Sequence, residues 1–217
     1  MNLEFKTKAQ TLFSLVNKIS SASISPIYII KVSEWRVNKK NNLNEIHTKF
    51  HKLFPLIVRS SSYQEDNINE SNAGKFLSIT DVKINDLESS IERVIESYGI
   101  ADEKDEILIQ PMVKNVLRSG VAFSHDPDTC SPYRVINWSE NSNTTLVTSG
   151  GGGKVWLQSA ESSINPPIKL KSVILLIDEL YILFNKRPID IEFAISKELD
   201  QEIIWLLQVR PLILKKD

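Results

Sequence analysis

Two acids, an amide and a guanidinium recur at two-residue spacing in Pro188-Ile189-Asp190-Ile191-Glu192-Phe193-Ala194 and Trp205-Leu206-Leu207-Gln208-Val209-Arg210-Pro211. Successive side chains of a strand point to opposite faces. Asp190 and Glu192 therefore share one face, and Ile189, Ile191, Phe193 and Ile195 the other. Gln208 and Arg210 are likewise two apart. A hairpin turning around Asp200 sets Asp190 opposite Arg210 and Glu192 opposite Gln208. Oxygen donors beside a guanidinium suit a hard divalent cation and a phosphate group. The plainer alternative is a solvent-facing ion pair on a two-stranded ribbon, the commoner setting for one Asp/Arg pair.

Arg59 ends the apolar run Leu56-Ile57-Val58 and opens into Ser60-Ser61-Ser62. Hydroxyls and backbone N–H groups at a strand end can hold phosphate oxygens, with Arg59 expected to face solvent. The nearby Ser71-Asn72-Ala73-Gly74-Lys75 has small residues that let backbone approach a ligand closely. Gln110-Pro111-Met112-Val113 ends another apolar strand, and its main chain could read an adenine edge or simply terminate an edge strand. Gly150 to Lys154 does not make a phosphate-binding P-loop. Thr148 replaces its first glycine and Val155 its hydroxyl, and the segment lies between strands, as a hairpin turn does. His125 with Cys130, or with Asp126 and Asp128, lacks a third partner at convincing spacing. His47 and His51 read as an exposed helix face.

These residues need a scaffold, and the composition allows one. The chain has 217 residues, 41% hydrophobic, with a formal charge of −1 and a single cysteine, Cys130. That charge argues against non-specific nucleic-acid binding, which needs a basic excess. No apolar run can span a bilayer, no secretion signal opens the sequence, and one cysteine fits a reducing cytoplasm. Helices are expected over about residues 7–20, 43–53, 87–98 and 169–185. Strands are expected near 26–30, 56–59, 76–79, 107–110, 116–124, 133–138, 144–148 and 154–158, before the final hairpin. The order indicates an α+β fold of two lobes with a mostly antiparallel sheet. The lobes are expected over 1–105 and 106–217.

Taken together, Leu56 to Ser62, Glu65-Asp66, Ser71 to Gly74, Ile109 to Val113, Ser119-Gly120-Val121-Ala122-Phe123-Ser124-His125-Asp126-Pro127, Asp190 to Ala194 and Leu207 to Pro211 resemble the nucleotide-binding domain of phosphoenolpyruvate synthase and pyruvate phosphate dikinase. The resemblance runs in order over nearly the whole chain. Ser71 to Ile79, Val135 to Asn137 and Val147 to Gly150 are similar to a glutamine kinase-like branch associated with capsule decoration. The family implies an ATP-grasp fold with a nucleotide cleft between the lobes.

It further implies ATP and Mg²⁺ as cofactors, with a role for each matching residue. Lys8 would bind phosphate, although Lys6 and Thr7 replace the two glycines usual before it. Arg59 would grip the triphosphate and the loop with Ser71, Ala73 and Gly74 would close over it. Gln110 and the backbone of Met112 and Val113 would meet adenine. Glu192 and Gln208 would hold the metal, Asp190 would support them, and Arg210 would neutralise the transferring phosphate. The implied reaction sends a phosphoryl or pyrophosphoryl group to a histidine on a swivelling domain. None of the three histidines here has that domain's context, so the acceptor is expected in a partner or in further sequence. Cys130 stands where the family usually has glycine. The competing expectation is a nucleotide-binding regulatory or interaction module that transfers nothing.

Overall fold

The computed structural model describes residues 3–62, 77–140 and 153–213. The chain divides into two units, one of Lys6–Phe13 and Ser25–Met112, the other of Met1–Phe5, Ser14–Ile24 and Val113–Asp217. The predicted boundary after residue 105 is therefore displaced. The strand expected to open the second lobe, β4 (Glu106–Pro111), pairs with β1 (Tyr28–Lys31) and β2 (Leu56–Ser61) and so belongs to the first unit.

That unit is an antiparallel sheet in the order β1-β4-β2-β3, with β3 at Ser78–Val82. Alternation along β2 and β4 sends Leu56, Val58, Ile107 and Ile109 into a core with Trp35, Ile46 and Phe50 of α2 (Val32–Phe50) and Ile91 and Val94 of α3 (Leu87–Ser97). The opposite face carries Arg59, Ser61, Glu106 and Gln110, because Ile57 pairs with Gln110, Arg59 with Leu108 and Ser61 with Glu106.

Two helices differ from expectation. α2 begins eleven positions before the expected Leu43, directly after β1, and bends at Asn38, whose φ and ψ are −123° and 35°. The bend and the polar run Asn38 to Asn42 hide the periodicity that links Trp35 to Ile46. α1 (Lys8–Leu15) stops five residues early, and Asn17 beyond it has a φ of 62°, a left-handed value that ends a helix.

The second unit is an antiparallel sheet in the order β7-β6-β5-β8-β9. Its strands are β5 (Val116–Phe123), β6 (Tyr133–Ser139), β7 (Lys154–Ser159), β8 (Ile189–Glu198) and β9 (Gln201–Pro211). Helix α4 (Lys171–Leu183) packs on β5 and β8, burying Val173, Leu176, Ile177 and Leu180. Residues 14–24 join this unit through Glu179, whose carboxylate accepts the backbone N–H groups of Ser20 at 2.8 Å and Ser21 at 2.9 Å. Ser23 then pairs with Trp205 along β9. At the chain start, Phe5 stacks on Phe184 with ring centroids 4.0 Å apart. Among the described residues no helix is long and apolar enough to cross a membrane. The expected strand at 144–148 lies outside the described residues.

Two positions show how tightly β5 and its following turn are drawn. A Cβ on Gly120 would stand 2.1 Å from the Asn137 carbonyl oxygen, which belongs to backbone and cannot swing aside. Cys130 occupies a φ of 58°, where a Cβ is strained and glycine is not. Gly120→Ala should therefore cost about 1–3 kcal/mol by overpacking. Cys130→Gly should be neutral or stabilising by up to about 1 kcal/mol, as relieved strain is partly offset by unfolded-chain entropy. Urea unfolding of both variants checks the pair, and equal destabilisation would contradict this account of the turn.

Candidate functional site

The C-terminal hairpin is built by a two-residue turn and one irregularity. Leu199 and Asp200 have φ values of 44° and 66°, and Glu198 pairs with Gln201 around them. Two left-handed residues give the tight turn whose twist suits a hairpin. Strict continuation from that turn would pair Asp190 with Val209. A register shift between Glu192 and Phe193 leaves Leu207 as an extra residue in β9. Beyond it, Glu192 pairs with Gln208 and Asp190 with Arg210. The expected pairings thus occur, with a bulge supplying the residue that a wider turn at Asp200 would have used.

Asp190 and Arg210 form a bidentate contact to one oxygen. Arg210 Nε donates to Asp190 Oδ2 at 2.7 Å and Nη2 lies 2.6 Å from the same atom. The Asp190 side chain is 7% exposed and that of Arg210 36%. Burial pushes the Asp190 carboxyl above the usual range; Arg210 opposes this without overcoming it, and neighbouring Glu192 adds to the rise. The same sheet face continues across the unit in rows fixed by register. Arg210, Asp190, Phe123, Val135 and Leu157 form one, and Gln208, Glu192, Val121, Asn137 and Val155 the next.

In the other unit, the polar sheet face and the start of α1 hold the remaining residues. Thr7 caps the helix, accepting the Gln10 N–H at 3.2 Å. Glu106 on β4 accepts the Thr7 hydroxyl at 2.7 Å and the Gln10 amide at 2.8 Å, and Ser61 Oγ accepts the Ala9 N–H at 2.9 Å. These bonds fix Lys8, which is buried, against β2 and β4. The Thr-x-x-Gln spacing at residues 7–10 was the available signal for this start, although Gln10 bonds Glu106 and not the cap. Arg59, expected to face solvent, is only 9% exposed, because it points from the middle of a sheet covered on that face as well. Gln110 Nε2 donates to the Ser25 carbonyl at 3.2 Å.

Three expectations need adjustment. The Met112 N–H donates to the Pro55 carbonyl at 3.1 Å, so that donor is engaged in extending the β2–β4 pairing and is not presented to a base. Val113 falls in the other unit from Gln110 and Met112. Ser71, Ala73 and Gly74 lie outside the described residues.

No protein-family model matches the chain, and no curated protein matches it. Solved structures do. D-Alanine-D-alanine ligase from Helicobacter pylori is 13% identical over 94% of this chain, with a TM-score of 0.50. PH1788 from Pyrococcus horikoshii Ot3 is 12% identical over 96%, with a TM-score of 0.55. ACD1 of Ca. Korarchaeum cryptofilum, solved in complex with coenzyme A, is 11% identical over 96%, with a TM-score of 0.53. The fold is ATP-grasp. The chain spans 54% of the ligase but 90% of PH1788 and 93% of ACD1. Identity this low carries the fold alone.

Within this ATP-grasp fold, the donor set suits magnesium. Glu192 and Gln208 are cross-strand partners that offer a carboxylate and an amide oxygen, the hard ligands that Mg²⁺ takes alongside phosphate and water. Among the described residues no group of three or more His, Cys, Asp or Glu could hold a metal. The pair is visible only when the amide is counted as a ligand.

Arg210→Ala should destabilise the fold by about 2–3 kcal/mol, below the usual cost for a fully buried pair because Arg210 is partly exposed. An acid raised in the folded state stabilises below its unfolded pKa of about 3.9 and loses that contribution as pH rises through the folded value. Without Arg210 the Asp190 pKa rises further. The deficit of Arg210→Ala should thus be largest at neutral pH and shrink on acidification, measured by urea unfolding from pH 4 to 7. A deficit that grows toward acid would refute the assignment.

Proposed function

We propose that this chain is an ATP-binding phosphotransferase domain of the phosphoenolpyruvate synthase and pyruvate phosphate dikinase type. It acts in the cytoplasm, and its partner is a histidine swivel domain. The observation that carries this reading is the β8–β9 register, which pairs Asp190 with Arg210 and Glu192 with Gln208. The fold supports nucleotide use, since a second structure of the Korarchaeum enzyme, with a TM-score of 0.53, is described with coenzyme A and Ca-AMPCP.

In this reading Glu192 and Gln208 would hold Mg²⁺, which when bound would supply charge to offset that of the phosphate oxygens. Arg210, oriented by Asp190, presents a planar cation to the transferring group. Lys8 and Arg59 take phosphate oxygens, Gln110, the Met112 carbonyl and the Val113 main chain face the base, and the segment with Ser71, Ala73 and Gly74 covers the phosphates. Positioning and electrostatics do nearly all the work in such a transfer. A glutamine kinase-like role in capsule decoration is the finer form of the same proposal.

The test is incubation of the chain with ATP, Mg²⁺ and a purified swivel domain. Partner-dependent release of AMP or ADP and a phosphohistidine are expected. Nucleotide binding with no partner-dependent release would leave a binding module without transfer. Glu192→Ala and Arg59→Ala should each weaken Mg-ATP binding at least tenfold in calorimetric titration. The Arg59 variant should also lose stability, because the side chain is buried. Arg210→Lys should retain binding but lose most transfer, since lysine cannot make the bidentate contact.

A further inference from the structure

Two of the chain's three histidines stand on α2, and the nucleotide chemistry above uses neither. His47 and His51 are four residues apart, a spacing that puts both on one side of a helix for as long as the helix lasts. It lasts far enough. α2 runs to Phe50, and His51, which caps it, keeps helical φ and ψ values of −51° and −31°. Side chains at this spacing have Cβ atoms about 5–6 Å apart, so both imidazoles can reach one ion at about 2.0–2.1 Å each. Both histidines are exposed, while Trp35, Asn42, Ile46 and Phe50 turn the other side of the helix inward.

The Thr48 carbonyl supplies an independent observation. His51 Nδ1 lies 3.1 Å from that oxygen. A carbonyl only accepts, so Nδ1 carries the proton and Nε2 keeps its lone pair for a metal. A backbone carbonyl on the far ring nitrogen is a usual second partner of a metal-bound histidine. The position also favours a cation, because His47 lies in the last turn and His51 just past it, at the negative end of the helix dipole. Neighbouring Lys49 is drawn toward β1, where its Nζ donates to the Ile27 carbonyl at 2.7 Å. We infer that His47 and His51 chelate a divalent transition metal, with water completing its coordination. Imidazole pairs suit Zn²⁺, Cu²⁺ and Ni²⁺, whereas Mg²⁺ prefers oxygen. Two protein ligands leave the remaining positions open, which makes this an exchangeable surface site and not a closed structural one. It stands apart from the nucleotide residues, since α2 packs on the sheet face opposite Arg59 and Glu106, and it does not rest on the ATP reading.

The test is calorimetric titration of the full, untagged chain with Zn²⁺ in the presence of excess Mg²⁺. The wild-type chain should take up a single equivalent of Zn²⁺. His47→Ala and His51→Ala should each weaken that uptake at least about tenfold, because one imidazole alone keeps no chelate. Replacing the remaining histidine, His125→Ala, should leave it unchanged. Urea unfolding separates lost ligation from lost folding. Without metal, both helix variants should keep the wild-type midpoint, as exposed side chains carry little packing; with Zn²⁺, only the wild type and His125→Ala should gain stability. Absence of Zn²⁺ uptake by the wild-type chain overturns the site. So does uptake that survives either helix substitution undiminished, that His125→Ala removes, or that excess Mg²⁺ abolishes.

Discussion

Ile204, Leu206, Gln208 and Arg210 all occupy even positions of one strand, and strict alternation would put all four on the same face of the sheet. The site cannot exist under that rule. Ile204 and Leu206 are buried in the core, while Gln208 and Arg210 pair with the two acids. The extra residue at Leu207 resolves the conflict by advancing β9 one position against β8. The core demands one parity, the polar face the other, and the bulge is where they meet. Every assignment on this face, from the ion pair to the row of Glu192 and Asn137, inherits its geometry from that shift.

The Asp190–Arg210 pair shows what this arrangement costs. Asp190 is nearly enclosed, and burial outweighs its partner in moving its carboxyl above the usual range. Such a pair adds little net stability over an apolar substitute, yet loss of one partner is expensive. Its strongest effect is on alternatives. A one-residue slip would set Asp190 against Val209 and bury an uncompensated carboxylate, so the pair penalises the wrong register more than it favours the right one. The same contact orients the guanidinium, which lowers the rotamer freedom that binding of an anion would cost.

Much of this was legible because strands announce themselves by alternation. The β8–β9 pairings, the strands β4 to β7 and helix α3 follow from runs such as Ile189 to Ile195 and from the spacing of Leu87, Ile91 and Val94. What escaped the sequence has local causes. The front half of α2 is polar and bent at Asn38, so the periodicity that links Trp35 to Ile46 is broken. The lobe boundary misled because β4 follows a helix and a turn, which look like the end of a unit, although its partners β1 and β2 lie earlier in the chain. The burial of Arg59 escaped because nothing in Val58-Arg59-Ser60 says that α1 will be fastened near that face by Glu106 and Ser61.

The charge on the hairpin face constrains how a metal would arrive. Asp190 is offset by Arg210, and Gln208 is neutral, so Glu192 alone contributes net negative charge to the two rows. One carboxylate and one amide are too few to draw Mg²⁺ from its hydration shell unaided, since the ion gives up water reluctantly and is normally shared with substrate phosphates. A set this sparse is suited to receive the metal already on a polyphosphate. A richer acidic cluster would trap the bare ion and repel the triphosphate that must accompany it. On the proposed reading, an amide at Gln208 in place of a second acid would lower the repulsion toward phosphate while still offering the metal an oxygen.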